Sequence, residues 1–169
     1  MNNNKLSAKD LVHLVGRFRI KKFTSQADFE AGNAYDEHQI GENLLLNEGI
    51  NELFTILCST SSGTKFDNTN AYIGVGDSDT AAAATQTDLQ ATVNKLYVAM
   101  DAGFPTFGTD EEAVFQSTFG ASDANFAWKE FTVANGSSGT AKNLDRLVQN
   151  EGTKTSGQIW QLSLTIGLS

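Results

Sequence analysis

Trp160-Gln161-Leu162-Ser163-Leu164-Thr165-Ile166-Gly167-Leu168 alternates large apolar residues with polar or small ones. Successive side chains of a strand point to opposite faces, so this spacing predicts one row facing a core and one facing water. The same rhythm runs back through the chain. Ala71 to Val75, Lys95 to Met100, Ala113 to Phe119, Phe126 to Ala134 and Asn143 to Val148 are short apolar-rich runs. Between them stand Gly74/Gly76, Gly103-Phe104-Pro105, Asn135 to Gly139 and Gly152 to Gly157, the residue types that close turns. Short strands at such spacing predict a mainly β fold, a β-sandwich of jelly-roll type. Trp128 and Trp160 are expected in its core rather than on a carbohydrate-binding platform.

One segment departs from the two-residue period. Leu46, Ile50, Leu53, Phe54 and Leu57 recur at helical spacing, with Asn47, Glu48, Asn51 and Glu52 between them. The spacing predicts one α-helix near residues 44–58, capped by Asn43 or Asn47 and ended by Ser59 to Gly63. Gly49 weakens that helix by about 1 kcal/mol relative to alanine. Cys58, the single cysteine, falls in an apolar run and is expected to be a buried, inert thiol. Residues 80–92 are rich in small side chains and read as a loop with a single helical turn.

Length and charge set the remaining bounds. The 169 residues suit one domain. A net charge of −8 and a pI near 4.6 argue against nucleic acid as a general partner. No apolar stretch approaches the roughly 20 residues that span a bilayer, and Met1 to Lys9 has no apolar core of a signal peptide, so no membrane is expected as partner. Charge is unevenly placed. Residues 1–22 hold Lys5, Lys9, Arg17, Arg19, Lys21 and Lys22 against Asp10 alone, while the remainder holds six basic and nineteen acidic residues. Residues 1–42 therefore read as a basic N-terminal arm and edge segment, and residues 43–169 as a single domain. Val15 to Phe23 puts Arg17, Arg19 and Lys21 on one face of a strand and Phe18 and Ile20 on the other, a pattern that suits an edge strand. The arm fits docking on an acidic surface of the same body, a sister subunit or a larger assembly, and equally fits a solvated tail.

Chemistry is scarce. Only His13 and His38 are available as bases, no Gly-x-Ser-x-Gly elbow is present, and Cys58 has no histidine nearby in sequence. Carboxylate pairs such as Glu111-Glu112 are generic in an acidic chain. Gly74-Val75-Gly76-Asp77-Ser78 lacks the further residues of a dinucleotide or P-loop fingerprint. Asp67, Asn68 and Asn70, or Asp77 and Asp79, alternate as calcium ligands do, but no glutamate closes a twelve-residue loop, and turn formation is the plainer reading. No catalytic residue, cofactor or metal site is expected.

The wording of the chain is more informative than its chemistry. Asn43-Leu-Leu-Leu-Asn-Glu-Gly-Ile-Asn-Glu-Leu53, Asn70-Ala-Tyr-Ile-Gly-Val-Gly-Asp-Ser78 and Thr80-Ala-Ala-Ala-Ala-Thr-Gln-Thr-Asp-Leu-Gln90 follow one another. Ala124-Asn-Phe-Ala-Trp-Lys-Glu-Phe-Thr-Val-Ala-Asn135 and Thr155-Ser-Gly-Gln-Ile-Trp-Gln-Leu-Ser-Leu-Thr165 complete the set. Together, over residues 43–169, they resemble a structural family of tailed-bacteriophage virions. The resemblance implies a non-enzymatic capsid cement or decoration protein on the outer surface of the virion, made in the host bacterial cytoplasm. Its partners would be the major capsid protein and copies of itself, as a homo-oligomer such as a trimer. A tail or fibre-associated protein that contacts a host receptor is the alternative. On the cement reading, Arg17, Arg19, Lys21 and Lys22 are the candidate partner-binding residues.

Overall fold

The computed structural model describes residues 14–59 and 63–168. Ten strands form two five-stranded sheets. The first has the order β2-β1-β10-β7-β6, built from Asp36–Glu42, Leu14–Phe23, Ile159–Leu168, Glu112–Phe119 and Thr106–Thr109. The second has the order β3-β9-β8-β4-β5, from Leu44–Leu45, Asp145–Thr153, Ala127–Ala134, Tyr72–Gly76 and Lys95–Ala99. Every pairing is antiparallel. Helices α1, Gln26–Ala31, and α2, Asn47–Cys58, complete the described elements.

The alternation of Trp160 to Leu168 becomes β10, near the middle of the first sheet, with Trp160, Leu162 and Leu164 buried. The sheets meet face to face through aromatic rings. Phe18 lies 6.0 Å from Phe131, and Trp128 stands edge-on to Trp160 at 4.8 Å and to Phe119 at 4.7 Å. The Trp128 indole N–H donates to the Ala124 carbonyl at 2.9 Å, so a buried polar atom is satisfied inside the core.

Three expectations change. First, β1 is an interior strand, bonded to β10 along its length and to β2 from Arg17 to Lys22. The edge belongs to β2, whose sequence DEHQIGE has a single large apolar residue, Ile40, and so carries no alternating row to announce it. Residues 14–42 thus build two strands and a helix of the same body rather than an arm, while residues 1–13 of the expected arm lie outside the described residues.

Second, the helix begins at Asn47, because Leu44–Leu45 pairs with β9 as β3. Leu46 is its N-cap and no side chain caps it. Asn43 instead donates to the buried Asp145 carboxylate. Third, residues 80–92 hold no helix. Residues 77–94 form a strap across the second sheet, held by a polar cluster. The buried Glu130 carboxylate accepts from the backbone N–H groups of Gln90 (2.8 Å) and Ala91 (2.7 Å). Arg146 Nε donates to the same carboxylate at 2.9 Å, and its Nη2 stands 2.7 Å away without hydrogen-bond alignment. Arg146 Nη1 reaches Gln86 at 3.0 Å. Tyr97 and Lys95 clasp Asp88 at 2.5 and 2.6 Å, and burial beside that carboxylate pushes the Tyr97 hydroxyl above its ordinary range.

Candidate functional site

Strand β1 positions the four basic residues that the sequence singled out, and its two-residue period separates them. Arg17, Arg19 and Lys21 project from the outer face. Arg19 pairs with Glu37 at 3.0 Å and Lys21 with the same carboxylate at 3.4 Å, both as solvent-exposed ion pairs. Arg17 is exposed. Lys22 belongs to the opposite row, with Phe18 and Ile20, and is 6 % exposed.

The ammonium of Lys22 lies 2.9 Å from Asp36 and 3.2 Å from Glu151, donates to the Glu151 carbonyl at 3.1 Å, and sits 4.9 Å above the Trp160 ring. It is a buried structural cation and presents no charge to a partner. The expectation for Lys22 is therefore corrected, for the reason of strand parity.

His38 completes this cluster. Its Nδ1 is 2.9 Å from Asp36 and its Nε2 is 2.9 Å from Glu151. With both ring nitrogens engaged by carboxylates, neither faces a nucleophile that it could deprotonate. Glu130, Asp145 and Glu151 are likewise buried among their partners rather than open to a substrate. Among the described residues no group of three His, Cys, Asp or Glu side chains could hold a metal ion. Asp67 accepts from Thr69 N–H, Asn70 N–H and the Asn70 side chain at 3.1, 3.1 and 2.8 Å, which is a turn. No described helix is long and apolar enough to cross a membrane.

The most distinctive surface is one the sequence led us to expect inside. The apolar stripe of α2 is real, but exposure rises along it from Leu46 (0 %) through Leu53 (37 %) and Phe54 (59 %) to Leu57 (79 %). Gly49 explains the geometry. A Cβ there would lie 2.4 Å from Leu144 Cα and 2.7 Å from the Asn143 carbonyl, so the helix touches the body backbone to backbone at its first turns. Further along, Phe54 and Leu57 are left at the surface while Glu52 still bonds Asn135 and Thr64, and Cys58, expected buried, is exposed at the helix end.

Across from α2, Phe107 on β6 is 77 % exposed. Beside them lie two largely apolar hollows, of about 490 Å³ and about 290 Å³, which share Leu53, Ala113 and Phe115 as lining. The hairpin from β6 to β7 borders them. Its turn residues Asp110 and Glu111 both adopt left-handed backbone, with φ of 54° and 58°. This is the conformation of the two-residue turn that favours Asn-Gly, and here two acids occupy it.

Neither Phe54, Leu57 nor Phe107 was identified as a surface residue from sequence. The readable sign was a glycine beside a helical stripe, which marks where the helix presses closest. Comparison with protein-family models, curated proteins and solved structures finds no match to this chain.

Proposed function

We propose that the chain is a non-enzymatic structural protein of a tailed-bacteriophage virion, a capsid cement or decoration protein. It attaches to the outside of the shell, as a homo-oligomer such as a trimer, and stabilises the shell by bridging major capsid protein subunits. The observation that carries this reading is the exposed apolar face of Phe54, Leu57 and Phe107. Large apolar side chains held this far out of the core, on a helix and on the hairpin across from it, suit a protein contact better than a solvated exterior. The outer face of β1 adds Arg17, Arg19 and Lys21, rim charges that orient a docking protein more than they hold it.

Several such contacts made at once by an oligomer gain avidity through effective concentration, so individually weak sites suffice. The jelly-roll type belongs to the same proposal, favoured by the pairing of the first and last described strands, β1 and β10. The tail-associated alternative would use the same face toward a host receptor.

The double variant Phe54→Glu/Leu57→Glu tests the assignment, since both residues are exposed and the fold does not depend on them. Sedimentation velocity should show loss of self-association, and binding to capsid shells should weaken about tenfold or more. Unchanged oligomeric state together with unchanged shell occupancy would refute the role of this face.

A further inference from the structure

Residues 77–94 join β4 to β5 with no helix or strand of their own. Irregular connections longer than ~12–15 residues are uncommon unless they serve as lids or binding loops. The two ends of this one are tied to each other. The Asp77 N–H donates to the Asn94 carbonyl at 3.1 Å and the Asn94 amide to the Asp77 carboxylate at 2.7 Å, beside the pairing of Gly76 with Lys95. The segment between them is free to move without parting the strands.

Beneath it lies a polar sheet face. Ile73, Val75, Phe131 and Val133 are buried in the core, so the alternate residues of β4, β5 and β8 face outward. Lys95, Gly76 and Glu130 form one row across these strands, and Tyr97, Gly74 and Thr132 form the next. A Cβ on Gly74 would lie 2.5 Å from the Tyr97 ring and one on Gly76 2.4 Å from the Glu130 carboxylate, so the glycines make room for those two side chains under the strap. A face of this composition is ordinarily the solvated side of an antiparallel sheet.

The strap's own buried apolar side chains are Leu89 and Ala91. Polar groups hold the rest. Besides the bonds of Glu130, Arg146, Tyr97 and Lys95, the Asn143 amide donates to the Thr87 carbonyl at 3.0 Å and the Asn47 N–H to the Ala84 carbonyl at 2.8 Å. Lifting the strap mainly rehydrates charged and hydroxyl groups, and a buried pair such as Glu130 and Arg146 stabilises little once its desolvation is counted. A segment with few buried apolar contacts opens at lower free energy than the whole fold.

We propose that residues 77–94 are a latched lid, which lifts from the second sheet as one unit about its tied ends while both sheets stay folded. Asp88 is the latch, because Tyr97 and Lys95 both hold it. The open form presents Lys95, Tyr97 and Arg146 together, donors that the closed strap engages with its own Asp88 and Gln86. This motion belongs to the isolated chain, whatever the protein attaches to.

Hydrogen exchange of the full chain in sub-denaturing urea tests it. The amides of Gln90, Ala91 and Asn47 should exchange through one opening with a shallower urea slope than the Leu162 and Leu164 amides of β10 and the Trp128 indole. Ile20→Val, in the core of the first sheet, should speed exchange at Leu162 and Leu164 about two- to tenfold and leave Gln90 and Ala91 unchanged, since closed and open forms lose the same packing. Tyr97→Phe removes a hydrogen bond to the latch and should speed Gln90 and Ala91 about tenfold. Exchange of Gln90 and Ala91 at the slope of β10, or equal acceleration at both places in Ile20→Val, would overturn the lid. No acceleration in Tyr97→Phe would overturn the latch.

Discussion

Asp145 is a carboxyl group with no route to water. Its Oδ1 accepts from the Val133 N–H at 2.8 Å and its Oδ2 faces the Asn43 amide. Two hydrogen bonds do not offset full burial, and desolvation pushes its pKa up to about 7. The folded state therefore holds this proton between about pH 4 and pH 7, where the unfolded chain has released it. Stability from this residue is greatest below the unfolded value and falls as pH rises through the window. Asp145→Asn should remove that slope, a difference on the order of a few kcal/mol, visible in urea midpoints taken at intervals from pH 4 to 8. Parallel curves for the two proteins would mean that Asp145 is ionised in the fold.

Asp36 works in the opposite sense. The hydrogen bond from Lys22 lowers its pKa, so its contribution is present above its ordinary range and is lost as pH falls. Its partner Lys22 yields a second prediction. Lys22→Glu brings an unpaired buried acid against Asp36 and Glu151 and should cost about 3–5 kcal/mol. Arg17→Glu and Arg19→Glu should each cost within about 1 kcal/mol, since both are solvent-exposed. Chemical denaturation of the three variants checks the contrast, and equal costs would remove the distinction between the two faces of β1.

Helix α2 is the element whose character is least local. Its stripe is readable from Leu46 to Leu57, because helical periodicity is a property of the sequence alone. Its exposure is not, because that depends on where Gly49 meets Leu144. Gly49→Ala separates the two effects. Alanine should favour an isolated helix by about 1 kcal/mol. In this fold it should instead lower stability, since the new methyl group meets backbone that has no room to move. A thermal melt of the variant above that of the original chain would contradict the backbone contact.

Among the strands, β4, β5, β7, β8 and β10 fall close to the runs marked in the sequence, since each carries apolar residues toward one core. Strand β6 (TFGT) is too short to show a period, and β2 hides its pairing behind charge. The parity of Lys22 was legible, as it shares a row with Phe18 and Ile20. Its carboxylate partners were not, because Glu151 is 129 residues away.

Over the whole molecule, an acidic body carries Arg17, Arg19 and Lys21 on the outer face of the interior strand β1 and, elsewhere, an apolar helix face that nothing described covers. The buried ionic residues lock strands and strap together. What remains at the surface is suited to contact. Fold class was readable because alternation and turns recur throughout. The contact surface was not, because exposure of an apolar residue is set by packing between distant segments.

The most direct test of the cement assignment is co-sedimentation of the purified protein with expanded phage shells stripped of accessory proteins, with isolated tails and host cells as parallel baits. The account predicts saturable binding to shells alone, with a defined number of copies per shell. Binding confined to tails or cells would contradict it and transfer the apolar face to host contact.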